Sequence, residues 1–362
     1  MDLTLDAGER EVASAARSLL TAVLSEDALK CVQDAQDPAV LREVMLGIGA
    51  GGWLARPGDK QSLFDRMPFF AAAGAALVPG LASTAVGAAV LADQPGLAEV
   101  QAGLESGSVL AAVVGEPPGP AASGQASAAT AEGMAGGDVR VRGEFPLVEY
   151  GAVADVFFLV VPLLAQDGGW LCVLVDSRRH PVTRHARATF GNDFRADLSV
   201  DVMLSGSELV LANDQPGALA RIRQARAVIE AIRLVECAGG ARSVTRRTVS
   251  YVNTRHQFGK PLSQFQAVKQ RAASMLILSE GASLLANAAL AQVSAGAGRP
   301  AELIWAKSWV PRAYKDVTLS AHQLHGGMGY ARESGLFRWS ERAKLRQLQL
   351  EAGLVRELNQ PE

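Results

Sequence analysis

The chain has 362 residues, 49% of them hydrophobic and 20% charged, with a mean hydropathy of +0.13. That composition supplies a buried core and excludes disorder as the dominant state. With 35 basic and 37 acidic residues the net charge is −2, too weak a field to gather nucleic acid or an anionic membrane, so neither is expected as a partner. At roughly 100–200 residues per domain, the length predicts about two to three domains or subdomains. Cys31, Cys172 and Cys237 form no Cys-x-x-Cys pair. Neither a disulfide framework nor a structural zinc site is encoded, and a reducing cytoplasm is the expected compartment. The opening MDLTLDAGEREVASAAR lacks the basic start and apolar run of a secretory signal.

From Leu3 to about Leu104 apolar residues recur at helical spacing. Val12, Ala15, Leu19 and Val23 form one stripe, and Leu41, Val44 and Leu46 lead into the break Gly49-Ala50-Gly51-Gly52. Met67 to Ala92 carries no charge, a length that could cross a bilayer. Its Ala/Gly content and the Val78-Pro79-Gly80 interruption predict two buried helices instead, and no membrane span. Between Ser106 and about Asn213 short β-rich runs follow one another: Val109 to Val114, Val139 to Val141, Val156 to Val161, Trp170 to Val175 and Val200 to Leu204. They predict an antiparallel β domain, with Gly115 to Gly137 as a surface loop. After Pro216 helical texture returns. Ala218 to Thr254 reads as one long helix with the pair Gly239-Gly240 as its weak point, followed by helices from about Ser263 to Ser294, from Pro300 to about His325, and beyond Gly329. The predicted fold is α+β: an N-terminal helical domain over residues 1–105, a middle antiparallel β domain over 106–213, and a C-terminal four-helix bundle over 214–362.

No G-x-S-x-G elbow, H-E-x-x-H or P-loop is present. His322 and His325 have a spacing that can bind metal, but no third ligand lies nearby, so no metal is expected. His180, His185 and His256 are isolated and read as surface or hydrogen-bonded imidazoles. Two segments stand out. Arg255-His256-Gln257-Phe258-Gly259-Lys260-Pro261-Leu262, followed by Phe265-Gln266, ends the long helix in a turn and starts a new helix with Ser263 as a plausible N-cap. Gln323-Leu324-His325-Gly326-Gly327-Met328-Gly329-Tyr330 has glycines that let a ligand approach backbone N–H groups.

Together these segments resemble the acyl-CoA dehydrogenase family, whose C-terminal helical domain carries R-x-x-F-G-x-x-x-x-x-x-Q and then Q-x-x-G-G-x-G-[YF]. The resemblance extends to the order of helices, β domain and helices along nearly the whole chain. It implies FAD as cofactor, an acyl-CoA thioester as substrate, and α,β-dehydrogenation in which a carboxylate takes the α-proton while the β-hydride passes to the flavin. It assigns Arg255 to the FAD pyrophosphate, Gln257, Phe258 and Gln266 to contacts at the ADP half, and Gln323, Gly326 and Gly327 to its far end. The planar Arg fork suits a diphosphate because it donates paired charge-assisted hydrogen bonds.

The chain departs from the family in its β domain. The T-E-P-x-x-G-S-D element falls on Gly115-Glu116-Pro117-Pro118-Gly119-Pro120-Ala121-Ala122, which keeps only the Glu-Pro pair. The G-x-K-x-[WF]-I-[TS]-N element falls on Gly143 to Tyr150, placing Leu147 where an aromatic packs on the flavin and Glu149 where a hydroxyl donates to it. The family's two positions for the base fall on Leu350 and Ile229. Glu351 and Glu230 are each one residue off, about 100° around a helix. Glu230 stands four residues after Arg226 and three before Arg233, which reads as helical ion pairing, and Glu236 reads as a polar contact in the bundle. In a straight helix position 229 and Arg255 lie roughly 39 Å apart, too far to serve one FAD.

The two ends are therefore expected to serve different cofactors across a subunit interface. The chain resembles the degenerate subunit of bacterial α2β2 steroid side-chain acyl-CoA dehydrogenases, which implies a homologous partner subunit that supplies the base and no catalytic residue in this chain. The alternatives are a self-sufficient homotetramer using Glu230 or Glu351 as a displaced base, and a non-catalytic scaffold of the same fold. Nothing in the sequence points to the oxygen chemistry of flavin monooxygenases of this fold.

Overall fold

Helical and β-rich segments alternate as the sequence suggests over residues 7–55, 63–115, 129–134, 137–164, 169–191, 193–212, 214–296 and 300–358, which the computed structural model describes. Among the described residues six helices come first: α1 (Ala7–Val23), α2 (Glu26–Gln33), α3 (Pro38–Ala50), α4 (Met67–Ala75), α5 (Leu81–Leu91) and α6 (Ala98–Ser106). Side-chain oxygens of Ser25 and Asp37 accept backbone N–H bonds at the starts of α2 and α3, the ordinary N-cap device. The uncharged stretch from Met67 forms α4 and α5, both largely buried and interrupted where the sequence places Val78-Pro79-Gly80.

Eight strands follow among the described residues: β1 (Ala111–Val114), β2 (Thr130–Gly133), β3 (Val139–Val148), β4 (Val156–Pro162), β5 (Trp170–Asp176), β6 (Val182–Ala186), β7 (Ala196–Leu204) and β8 (Leu209–Ala212). They make two four-stranded sheets, ordered β1-β4-β5-β8 and β2-β3-β7-β6. Ladders are antiparallel except between β1 and β4, which run parallel. The expected Gly115 to Gly137 loop is corrected at Thr130–Gly133: this segment pairs with β3 and buries Ala131, while residues 116–128 lie outside those described. Between the sheets sits a core that includes Val141, Phe157, Leu159, Val173 and Leu198.

The remaining helices are α7 (Ala218–Thr254), α8 (Gln266–Ser294), α9 (Ala301–His325), the single turn α10 (Gly327–Tyr330) and α11 (Leu336–Leu358), with the short strands β9 (His256–Gln257) and β10 (Lys260–Pro261) after α7. The chain divides into two compact units. One holds α1, α4 and the residues from Glu230 to Glu357. The other holds α2, α3, α5, α6, strands β1 to β8 and the chain up to Ile229. In the first unit α7 runs unbroken through Gly239 and Gly240 because those glycines are contact points. A Cβ on Gly239 would collide with the backbone oxygen of Ala71 in α4, and one on Gly240 would lie 2.5 Å from the Tyr314 hydroxyl. Gly74 of α4 faces the backbone of Glu236 in the same way. Helix α8 is long and apolar enough, by length and composition, to cross a membrane, yet it packs along α9 and buries Met275, Ala282, Ala286 and Leu290.

In the second unit, ion pairs and backbone donors hold four carboxylates below their ordinary range. Burial pushes Asp176 upward, but Arg178 outweighs it. Burial likewise pushes Glu208 upward and is outweighed by the Ser205 N–H and His180. Asp197 is lowered by the Leu147 N–H and Arg187, and Asp201 by Arg140. A carboxyl depressed in the folded state adds stability above its unfolded pKa and loses it as pH falls through the folded value. The denaturation midpoint of this unit should therefore fall steadily from about pH 5 to about pH 3, with part of the slope removed by Asp176→Asn. A flat profile in urea melts would refute the assignment.

Candidate functional site

The C-terminal end of α7 sets the first half of the site. The Arg255 N–H donates to Tyr251 O at 2.8 Å, and Arg255 O accepts from the Leu262 N–H at 2.9 Å, so the backbone is fixed on both sides. Between these bonds β9 and β10 pair antiparallel through a two-residue turn, Phe258-Gly259, with φ of 55° and 80°. Two successive left-handed residues are the signature of the tight hairpin turns that match strand twist. The sequence suggests only a Gly-Lys-Pro turn here; the Phe-Gly pair with flanking strands is the signal that reveals the hairpin. Phe258 is 90% exposed. Beneath it Phe265 packs edge-on at 6.2 Å and takes the Lys260 ammonium over its ring at 4.4 Å. The expected Ser263 N-cap is not used. Leu262–Gln264 form a 3-10 turn, and α8 begins at Gln266 after Phe265, whose extended backbone delays the helix.

The second half is the end of α9. Gly326 has φ 60° and ψ −142°, a region open only to glycine, and no described heavy atom lies within 4 Å of a Cβ built on Gly326 or Gly327. Of His322 and His325, spaced as if for metal, the first turns both ring nitrogens to the protein and the second its Nδ1. His322 Nδ1 donates to Gly329 O at 2.9 Å, its Nε2 lies 2.9 Å from Ser340 Oγ, and its ring stacks on Tyr330. His325 Nδ1 donates to Ala321 O at 2.9 Å and its ring stacks on Tyr251. No group of three metal-ligating side chains occurs among the described residues. Arg255, Gln257, Phe258, Gln266, Gln323, Gly326 and Gly327 are all exposed in the same unit, and the four polar side chains have no intrachain hydrogen-bond partner among the described residues.

The candidate bases are held differently. Ile229 and Leu350 are buried aliphatics. Both Glu230 oxygens accept from Lys307 Nζ of α9 at 2.8 Å, and Lys307 is fully buried. Lys307 thus adds a tertiary pair to a carboxylate that the sequence places within a helical turn of Arg226 and Arg233. Glu351 accepts from Arg312 Nε at 2.6 Å and from Gln347 at 3.0 Å. Burial pushes its carboxyl upward, but these donors outweigh it and hold it below the usual range. Glu236 pairs with Arg346 at 3.4 Å in the bundle interior.

In the other unit Leu147 occupies a register shift in β3 at φ 52°. Its N–H donates to Asp197 Oδ1 at 2.8 Å, and its carbonyl accepts from Arg195 Nη1 at 2.7 Å. Its side chain is exposed, and Glu149 follows in the turn before Tyr150. The positions from Glu116 to Ala122 lie outside the described residues.

Residues 219–349 match the family model for the acyl-CoA dehydrogenase C-terminal domain. Two solved structures superpose over almost the whole chain. PigA with FAD and proline has a TM-score of 0.83 at 19% identity, covering 99% of both chains. The Tcur3481-Tcur3483 steroid ACAD has a TM-score of 0.77 at 22% identity, covering 96% of this chain and 98% of its own. The chain has the acyl-CoA dehydrogenase fold. Acyl-CoA dehydrogenase FadE34 of Mycobacterium tuberculosis is 34% identical over 243 residues, 66% of this chain. The matched stretch spans only 28% of that relative's own length. The acyl-CoA dehydrogenase frame places the exposed hairpin and glycine turn within the domain that the family model recognises.

Proposed function

We propose that this chain is a subunit of an FAD-dependent acyl-CoA dehydrogenase that clamps the ADP half of a flavin whose ring and base belong to a homologous partner chain. Phe258 carries the reading. An aromatic in left-handed backbone, almost wholly exposed on a hairpin tip, costs both strain and apolar hydration, and a surface outside the chain offsets both. The residues present fit a dinucleotide tail. Arg255 supplies a forked cation for a diphosphate, Gln257 and Gln323 supply amide donors, and the open Gly326-Gly327 turn leaves room for a phosphate or sugar against the backbone.

The flavin-ring end fits poorly: Leu147 has no π face, and an ionised Glu149 accepts hydrogen bonds but donates none. FAD, when bound, supplies the hydride acceptor that no side chain offers. This chain's part is to hold and orient it. With Glu230 on Lys307 and Glu351 on Arg312, the α-proton of the thioester goes to a partner's carboxylate. Further support for a partner comes from exposed apolar side chains on α8 and α9, where Ile277 and Trp305 are largely exposed and Trp309, lying over Gly281, is partly so, a composition typical of interface centres.

The resemblance to the degenerate subunit of steroid side-chain enzymes supports a role in steroid catabolism and an α2β2 oligomer, the unpaired cysteines support the cytoplasm, and the helical and β texture supports domains at 1–105, 106–213 and 214–362. Purifying the tagged chain from its native host, with mass and flavin spectrum recorded on one sample, tests the reading. A yellow complex with a second chain is expected, whereas a flavin-replete, active homomer would defeat it. In that complex neither Glu230→Gln nor Glu351→Gln should abolish turnover. Loss of activity by either one would instead identify a displaced base.

A further inference from the structure

The two halves of the proposed nucleotide site come from segments about seventy residues apart in sequence, yet they meet through one pair of rings. Tyr251 stacks on His325 with centroids 4.2 Å apart and planes 18° from parallel, and the Tyr251 hydroxyl reaches the His325 carbonyl at 3.4 Å. Tyr251 stands one helical turn before Arg255 and accepts the Arg255 N–H on its own carbonyl. His325 is the last residue of α9, immediately before Gly326. The stack therefore ties the backbone that carries the cation to the backbone that carries the open glycine turn.

We infer that the Tyr251–His325 stack is a positioning device that sets the separation between Arg255 and the Gly326-Gly327 turn, and hence the fit of the dinucleotide; this rests on the nucleotide-clamp reading above. The ring of His325 is held from its other side as well. Its Nδ1–H donates to Ala321 O, so the imidazole cannot rotate out of the stack without giving up a hydrogen bond. His322 complements it by fixing the far side of the same turn through Gly329 O and Ser340 Oγ. Gly326 has no preference of its own between left- and right-handed backbone. The torsions of the turn are therefore set by what holds its two ends, the His325 stack and the His322 bond.

Neither ring need touch the flavin for this to work. A shift of a few tenths of an ångström between two clamps is enough to weaken a ligand that both must grip at once. The test is FAD titration of the complex purified from the native host after removal of its flavin, with Tyr251→Ala, Tyr251→Phe, His325→Ala and the double alanine variant beside the unaltered chain. Phenylalanine keeps the ring and should bind FAD as the unaltered chain does. Each alanine variant should bind about five- to tenfold more weakly, and the double variant no worse than either single change. A purely structural role would lower the unfolding midpoint and leave the affinity unchanged. Should Tyr251→Ala fail to fold, Tyr251→Leu retains apolar volume without a stacking plane and is expected to show the same loss. Equal affinity in all variants overturns the positioning role alone. A chain that takes up no FAD even before substitution overturns the clamp reading and this inference with it.

Discussion

Arg255→Ala is expected to weaken FAD binding by the complex about thirtyfold, roughly 2 kcal/mol, while leaving the unfolding midpoint of the chain nearly unchanged. The guanidinium is exposed and makes no hydrogen bond to a described residue, so truncation removes nothing from the fold. Its backbone is fixed by Tyr251 O and the Leu262 N–H, so the loop should keep its shape. Arg255→Lys should recover only part of the affinity, because an ammonium is a point charge without the paired donors that a diphosphate accepts. The loss should also shrink as salt rises, since the interaction spans solvent-exposed charge. Fluorescence titration of the flavin-free complex at two ionic strengths measures both. An Arg255→Ala complex that retains its flavin through extended dialysis would remove this residue from the site.

Long helices were legible because their signal is repeated. Ala218 to Thr254 runs 37 residues without a proline, so two central glycines do not interrupt it, and contact with Ala71 and Tyr314 explains why glycine stands there. Short edge elements were not. In β6, Val182–Ala186, no residue is buried, and β2 hides in a Gly/Ala-rich stretch where one buried alanine does the alternating; both are made by their neighbours more than by their own residues.

The candidate site divides along the same line. Arg255 and Gly326-Gly327 were readable because each sits in a local motif with a local reason. The Tyr251–His325 stack was not, since nothing near His325 names its partner. The position of Tyr251 four residues before Arg255, on the same helix face, was the available hint. The Lys307–Glu230 pair joins residues on different helices. Here too a local sign existed: Lys307 stands among Leu303, Ala306 and Val310, all buried, and a lysine inside an apolar stripe needs a counter-charge from elsewhere.

That pair leads to the largest expected loss of stability. Lys307→Met should destabilise the chain by about 3 kcal/mol, because it removes the fully buried cation from which both Glu230 oxygens accept. Partial solvent access of Glu230, with 22% of its side chain exposed, places the cost at the low end of the range for broken buried pairs. Removing both charges is a different change. Lys307→Met with Glu230→Leu replaces the pair by apolar groups of similar size and should recover most of the loss, since desolvation of the two ions no longer opposes their attraction. Urea melts of the single and double variants measure the difference, and a single variant as stable as the parent would mean that the pair contributes nothing. The same double variant bears on the chemistry. If Glu230 were a displaced base, removing it would end turnover however well the chain folds. With the base in a partner, the refolded double variant should keep turning over in the complex, because all that has changed in this chain is how two helices are pinned together.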